Sequence, residues 1–227
     1  MNRIDHCNNL IHFTKGKNNP TDYEEAYQTF KEIIETSEIK VSNRMILGKQ
    51  KCVCFTESPA ICLTTNGELN KHYFSRYTPF GFQFTKKELF NLGGRPVIYS
   101  LKTEYELEKD NTRINWRYVT YDPNKDFKND FTWEREWRIN NTSIPITNEN
   151  TKLVFPNQKW IDRFVEEHEK KYHFISDDTD CEECFCKREL TVYKFKDFIE
   201  QCETLSGTCP DPERFPWIII DMDDNKS

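Results

Sequence analysis

The stretch Trp133-Glu134-Arg135-Glu136-Trp137-Arg138-Ile139 combines aromatic, β-prone residues with two glutamates placed two positions apart. Alternate residues of a strand face the same side, so a strand here projects Glu134 and Glu136 together and turns Arg135 away. Like charges held this close are costly unless a substrate or a cation uses them. The stretch therefore predicts either a functional pair of carboxylates or an edge strand with a solvated polar face, in which Glu–Arg pairs contribute little.

The composition around this stretch is that of a folded chain. Its 227 residues are enough for one large domain, or for one domain with a small appendage. Hydrophobic residues make up 36% of the chain, and the 17 Phe and 10 Tyr can supply a core that aliphatic residues alone would leave small. We therefore expect a globular protein and not a disordered one.

Charge and termini narrow the class of protein. A formal net charge of -6 argues against binding to nucleic acid through bulk charge, although a local basic patch stays possible. The first residues, 1–5, do not form a signal peptide, and the longest apolar run, 217–220, is too short to span a membrane. We therefore expect a cytoplasmic protein without a membrane partner, in which nine cysteines indicate thiols or a metal and not a disulfide framework.

Strand patterns alternate with only a few helical ones, which predicts an α+β fold with a mixed or antiparallel sheet and flanking helices. The predicted strands are 10–14, 39–41, 52–56, 80–84, 96–101, 116–121, 134–139, 190–195 and 217–221. A first helix is expected to begin at a capping box formed by Thr21 and Glu24 and to end near Ser37. A short helix is expected at 86–90, and a longer one from Asn157 to about residue 171.

A change in composition after residue 155 predicts two regions. Residues 1–155 form the core, and residues 156–227 form an appendage of one helix and a cysteine-bearing segment packed on that core. Clustered histidines and paired carboxylates at strand ends are missing from the second region, so the site is expected in the first.

Three further segments carry candidate site residues. His12 and Thr14 share one face of the first strand and can both hydrogen-bond a ligand, although His12 could equally be satisfied within the core. Ser58 ends the run Cys54-Phe55-Thr56-Glu57-Ser58-Pro59, where it either faces a ligand at a sheet edge or caps a helix. Tyr77 and Phe80 suit stacking on a flat ring, but aromatic residues of this kind also build ordinary cores.

In this order, the motifs His12-Phe13-Thr14, 54–59, 77–81, Pro96-Val97-Ile98-Tyr99 and Glu134-x-Glu136-Trp137-Arg138 form a series. The series resembles bacterial phage-defence and toxin–antitoxin proteins of the AbiGi kind. More distantly, it is similar to the ADP-ribosyltransferase superfamily, including the DarT-type DNA-modifying toxins. The resemblance covers roughly residues 8 to 140. Its middle motif reads Thr56-Glu57-Ser58 where many relatives have Ser-Thr-Ser.

The resemblance implies a split β-sheet of ADP-ribosyltransferase type that cradles NAD as the substrate. His12 matches the residue that holds the ribose on the nicotinamide side, and Thr14 and Ser58, from their own positions, are predicted as further binding residues. Glu136 matches the glutamate that stabilises the oxocarbenium-like state, and Glu134 matches the one that orients the acceptor. Tyr77 or Phe80 would stack on nicotinamide.

Cleavage of NAD by a carboxylate site is also chemically reasonable without the resemblance. Breaking the N-glycosidic bond of NAD builds positive charge on the ribose, and a buried carboxylate stabilises such a state. The acceptor would be a protein or a nucleic acid, although the acidic net charge fits poorly with DNA or RNA. The alternative function is that of a non-catalytic relative with the same fold, which would bind a cognate toxin, an antitoxin or a phage protein.

The densest cysteine group is Cys181-x-x-Cys184-x-Cys186. Zinc requires four tetrahedral ligands, so these three thiols would need a fourth from elsewhere in the chain. No tight Cys-x-x-Cys pair follows this group to complete the ligand set of a zinc site. Reduced thiols on an acidic loop are therefore the simpler interpretation. Zinc is therefore a possible ligand of these residues, and no other metal site is predicted.

Overall fold

The computed structural model describes residues 7–44, 46–58, 64–65, 68–69, 77–124, 130–140, 142–147, 149–173 and 218–221. Within them, the helices are α1 (Tyr23–Thr36), α2 (Lys86–Asn91), α3 (Lys102–Glu108) and α4 (Gln158–His173), with 3₁₀ turns at Leu47–Lys49, Asn115–Arg117 and Thr132–Glu134. The strands are β1 (Asn9–Phe13), β2 (Glu38–Ile39), β3 (Cys52–Phe55), β4 (Thr64–Thr65), β5 (Glu68–Leu69), β6 (Gly81–Thr85), β7 (Arg95–Pro96), β8 (Ile98–Ser100), β9 (Tyr118–Thr120), β10 (Trp137–Asn140), β11 (Ile144–Pro145), β12 (Lys152–Phe155) and β13 (Ile218–Asp221). The prediction of an α+β fold is confirmed at this level.

The largest sheet has the strand order β1-β6-β12-β13. Its first three strands pair antiparallel, and β13 pairs parallel with β12. Gly81 pairs with Phe13 in β1 and with Val154 in β12. A Cβ atom at Gly81 would lie 2.9 Å from the carbonyl oxygen of His12. Only glycine therefore allows β1 and β6 to approach this closely beside His12.

An aromatic core covers one face of this sheet. Phe30 of α1 stacks on Phe82 with ring centroids 4.8 Å apart and meets Phe155 edge-to-face at 5.1 Å. Such ring pairs add about 0.5–1.5 kcal/mol each beyond the area they bury. Ile161 and Phe164 of α4 are buried in the same core. The helix after residue 155 thus packs on the sheet that also contains β13.

A second sheet with the order β3-β10-β7 lies next to the first. β10 pairs antiparallel with both β3 and β7. The two sheets are joined at one backbone bridge, where Ile11 and Thr56 exchange hydrogen bonds of 2.9 and 2.8 Å. The ends of β1 and β3 are therefore fixed side by side, and the polar residues that follow each strand come together.

The segment 134–139, expected as one strand, is interrupted. Glu134 ends a 3₁₀ turn, Arg135 has a φ of 47°, and the strand begins only at Trp137. Arg135 therefore reverses the chain between the two glutamates, and the prediction that they share one strand face is wrong. The physical reason lies just after β3, since Thr56 Oγ1 donates to the Glu134 carbonyl over 2.7 Å and thereby captures a backbone group that a strand would pair.

Smaller corrections concern the ends of other elements. The predicted strand 96–101 divides into β7, which pairs antiparallel with β10, and β8, which pairs parallel with β9. The predicted strand 116–121 begins as a 3₁₀ turn. Ser37 ends α1 as expected. The predicted strand 190–195 lies outside the described residues.

Among the helices of the described residues, none has the length and apolar character that a membrane span requires.

The N-cap of α1 is Asp22, not Thr21. The Asp22 carboxylate accepts a hydrogen bond of 2.9 Å from the Glu25 N–H. The side chain of Thr21 instead donates to Asn19.

Removing the cap by Asp22→Ala is expected to lower the free energy of unfolding by about 1 kcal/mol. Thr21→Ala is the matched control and should leave it nearly unchanged in a urea titration; an equal loss in both variants would contradict the assignment.

Candidate active site

A cleft of about 890 Å³ lies where the two sheets are joined. It falls within the size range of small-molecule sites, roughly 300–1,000 Å³. Five of the seven residues that the sequence predicted for the site line this cleft, namely His12, Thr14, Tyr77, Glu134 and Glu136. The other two, Ser58 and Phe80, do not line it.

His12 presents a neutral imidazole to the cleft. Its Nδ1 lies 2.8 Å from the carbonyl oxygen of Cys54. A carbonyl only accepts, so Nδ1 carries the proton and Nε2 is left as an acceptor. Burial is the main cause that lowers the pKa of His12, opposed by the bond to Cys54 and aided by the positive charge of Lys15. The ring can therefore accept a hydrogen bond from a ligand hydroxyl at neutral pH.

Glu136 is held by a buried arginine. Arg138 is 4% exposed and donates to both carboxylate oxygens of Glu136, over 2.7 and 3.2 Å. Its Nη1 also donates to the carbonyls of Trp116 and Tyr118, over 2.9 and 3.2 Å. Burial alone would lower the pKa of Arg138, but the Glu136 charge and hydrogen bond raise it above its ordinary value. The carboxylate is therefore fixed in direction at the wall of the cleft.

Cys54 lies beside this ion pair. Its thiol is hydrogen-bonded to Glu136, and burial together with the Glu136 charge raises its pKa well above the ordinary value. Such a thiol stays protonated and is a poor nucleophile. Burial likewise raises the pKa of Cys52 to about 11. Both cysteines line the cleft, where they act as small, weakly polar wall residues.

Glu134 and Tyr77 lie together on another side of the cleft. Burial and the charge of Glu134 raise the pKa of Tyr77 far above its ordinary value. Phe13 stacks on the Tyr77 ring with centroids 5.4 Å apart and an interplanar angle of 8°. The phenol therefore stays neutral, and its ring is oriented by a second ring.

Three of the predicted site residues use their polar or aromatic groups inside the fold. Thr14 is 2% exposed, and its hydroxyl donates to the Phe80 carbonyl over 3.2 Å. The Ser58 hydroxyl donates to the carbonyl of Trp133. Phe80 is fully buried in the aromatic core, against Tyr27 and Trp160 among others. The motif that contains Ser58 thus supports the turn at Glu134, and of the two candidate stacking rings only Tyr77 lies at the cleft.

Sequence reasoning missed three exposed cations that line the cleft, namely Lys40 and the interacting pair Lys15 and Arg44. Partial burial of the ammonium group is the main cause that lowers the pKa of Lys15, and the charge of Arg44 is the next. An anionic ligand between them would relieve the repulsion of these two like charges. Three glutamates that also line the cleft oppose such a ligand, namely Glu32, Glu35 and Glu38. Lys15 adjoins the His-Phe-Thr motif, but no sequence signal connects it with Arg44, which is 29 positions away.

Sequence reasoning also missed two buried charged groups that orient the site residues, of which Arg138 lines the cleft and Glu57 does not. Arg138 belongs to the motif but was not assigned a role, and Glu57 was noted only as a departure from the family pattern. Glu57 is 9% exposed and accepts hydrogen bonds from Lys86, Arg135 and Trp137. An acidic residue flanked by Thr56 and Ser58 at the end of a buried strand was the available signal.

The metal hypothesis is not addressed by the described residues. Cys181, Cys184 and Cys186 lie outside them, so the zinc site stays a prediction. Within the parts of the chain that are described, His, Cys, Asp and Glu side chains form no group of three or more that could hold a metal ion.

Comparisons with protein-family models, with curated proteins and with solved structures give no match for this chain. The interpretation of the cleft therefore depends on its own residues and on the resemblance of the motifs.

The half-buried, neutral His12 has a consequence for stability. Its folded-state pKa lies below the unfolded value of 6.5, so the unfolded chain binds the proton more tightly. The contribution to stability is present above pH 6.5 and is lost as the pH falls through the folded-state pKa. We expect the difference in unfolding free energy between the wild type and His12→Gln to decrease as the pH is lowered from 7.5 to about 5.

The measurement is urea unfolding of both proteins at a series of pH values. Histidines elsewhere in the chain titrate in both proteins and cancel in the difference. A difference that stays constant, or grows, at low pH would show that His12 is already protonated or solvent-exposed in the folded protein.

Proposed function

We propose that the protein is an NAD-dependent ADP-ribosyltransferase or NAD hydrolase. The observation that supports this most is the presence of His12, Tyr77, Glu134 and Glu136 around one cleft of about 890 Å³. These residues come from three separate motifs of the series and are among those to which the resemblance assigns binding and chemical roles. The ADP-ribosyltransferase type of the fold is part of the same proposal.

In the proposed reaction, the bond between C1′ of the ribose and the nicotinamide nitrogen breaks. Nicotinamide leaves with the bonding electron pair, and positive charge develops on the ribose. An acceptor hydroxyl or amine, or water in the hydrolase, then attacks C1′ and loses a proton. The Glu136 carboxylate faces the developing cation, since a fixed negative group stabilises this state more than the ground state.

The other residues of the cleft would bind and orient the substrate. The unprotonated Nε2 of His12 would accept a hydrogen bond from a ribose hydroxyl. Tyr77 would offer its ring to nicotinamide, and Lys15 with Arg44 would attract the negative phosphates. Glu134 would orient the acceptor. The resemblance assigns such chemistry to bacterial phage defence or to toxin–antitoxin systems, with a protein or nucleic acid as the acceptor.

A non-catalytic relative that binds a partner protein is the second candidate. The Glu136–Arg138 pair favours it, because both oxygens of the carboxylate are already bound by an arginine that also ties down the carbonyls of Trp116 and Tyr118. Glu136 has a purely structural use in this arrangement. Incubation of the protein with labelled NAD and cell lysate separates the candidates, since the partner-binding protein would neither bind nor consume NAD.

Glu136→Gln tests the chemical role directly. The variant keeps the shape of the side chain but removes the charge that faces the developing cation, so NAD turnover is expected to fall by about 10²–10³-fold.

His12→Ala should weaken NAD binding more than it slows turnover. Glu134→Gln should reduce transfer to an acceptor more than hydrolysis. Release of labelled nicotinamide and calorimetric NAD binding are the measurements.

A control is needed because Glu136→Gln also removes the partner of buried Arg138, and breaking such a pair costs roughly 3–5 kcal/mol. Arg138→Lys weakens the same pair while it retains the carboxylate. Both variants are assayed below their own unfolding temperatures. If the two lose activity in proportion to their loss of stability, Glu136 has no chemical role; if the wild type binds no NAD at millimolar ligand, the partner-binding candidate is the better one.

Lys15 and Arg44 give a second test of the ligand. Lys15→Met and Arg44→Met each remove one positive charge from the mouth of the cleft, and each is expected to raise the Kd for NAD while leaving that for nicotinamide riboside unchanged. Lys109→Met is the matched control, because Lys109 is likewise exposed and pairs with Glu106, and neither residue lines the cleft. An equal rise in the Kd for NAD and for nicotinamide riboside would mean that these cations do not contact phosphate.

A further inference from the structure

Glu57 binds three donors, one at the start of α2 and two in the segment 135–137. Its carboxylate accepts from Lys86 Nζ at the start of α2 over 2.8 Å, from Arg135 Nη2 over 2.6 Å, and from Trp137 Nε1 at the start of β10 over 2.7 Å. Its backbone N–H donates to the Glu134 carbonyl over 3.2 Å. The contacts to Glu134, Arg135 and Trp137 therefore enclose the position of Glu136.

The turn that carries the two candidate carboxylates needs such support. Arg135 has a φ of 47°, a left-handed conformation that costs a residue with a side chain about 1–2 kcal/mol. Conformations of this kind persist only where the surroundings fix them. The surroundings here are the segment 56–58, since Thr56 and Ser58 bind the carbonyls of Glu134 and Trp133, and Glu57 binds the Arg135 side chain.

Glu57 is ionised but does not line the cleft. Burial alone would raise its pKa, but the hydrogen bonds from Lys86 and Trp137 and the charges of Lys86 and Arg135 lower it below the ordinary value. A neutral group at this position could not balance two cations. Glu57 can thus affect a reaction in the cleft only through the residues that it holds.

We propose that Glu57 is a positioning residue, which fixes the turn 134–136 through Arg135 and Trp137 and so directs Glu134 and Glu136 into the cleft. The inference rests on the proposed function of that cleft. It assigns to the acidic residue of the Thr-Glu-Ser motif a role in the chemical step and not in the binding of NAD, because His12, Lys15 and Arg44 make no contact with Glu57.

Glu57→Gln tests the proposal against a closely matched control. Glu167 also accepts from one lysine, one arginine and one hydroxyl, namely Lys31, Arg163 and Tyr27, but it lies on α4 and does not line the cleft. We expect Glu57→Gln to lower kcat for NAD by about 10²-fold, the cost of a small misplacement at a reacting centre, with KM unchanged. Glu167→Gln should lose stability but keep kcat.

Arg135→Ala tests the same link from the other end, at a side chain that is itself 38% exposed. If Glu57 acts through Arg135, the two substitutions share one effect, and the double variant should lose little more kcat than Glu57→Gln alone. Lys86→Met removes a partner of Glu57 that is outside the turn and should change kcat far less.

A second readout does not depend on NAD. Hydrogen exchange of the backbone amides in 131–136 should be faster in Glu57→Gln and Arg135→Ala than in the wild type and Glu167→Gln. If the wild type consumes no NAD, the proposed function fails, and the exchange rates still decide whether Glu57 fixes the turn. Unchanged exchange in 131–136, a rise in KM in place of a fall in kcat, or multiplied effects in the double variant would each overturn the positioning role.

Discussion

The backbone bridge between Ile11 and Thr56 is the constraint on which the other parts of the cleft depend. It joins a sheet built on β1 and β6 to a sheet built on β3 and β10, through two hydrogen bonds of 2.9 and 2.8 Å. Residues that follow each strand are thereby held next to one another. The close approach of β6 to β1 at Gly81 fixes the other side of β1, so His12 is placed from both edges of its strand.

Two buried charged groups orient the residues that form the walls of the cleft. Arg138 binds Glu136 and two carbonyls, and Glu57 binds Lys86, Arg135 and Trp137. Buried ion pairs of this kind contribute little net stability compared with apolar packing, because each ion loses its hydration. These ion pairs instead fix the orientation of the carboxylates, since a carboxylate with several fixed donors has a single orientation. The arrangement suits a site in which charge develops at one defined point.

Much of the fold followed from local pattern. The amphipathic spacing of Ala26, Tyr27 and Phe30 predicted α1, and short strands with aromatic residues predicted an α+β core. The sequence also indicated a functional region near His12 and the Glu-x-Glu stretch, and residues of both segments line one cleft. The predictions of α1 and of the α+β core are confirmed because periodicity acts within a few neighbouring positions.

What the sequence determined by itself was therefore the order of the elements and the identity of the polar motifs. Only the tertiary structure decided which face each motif presents. Glu134 and Glu136 were expected in one strand, but hydrogen bonds from Thr56 and the contact of Glu57 with Arg135 stabilise a left-handed residue between them. Likewise, Phe80 packs in the core. The cause is the same in each case: a contact between residues distant in the chain outweighs the local preference, and its geometry is not encoded in the spacing of either partner.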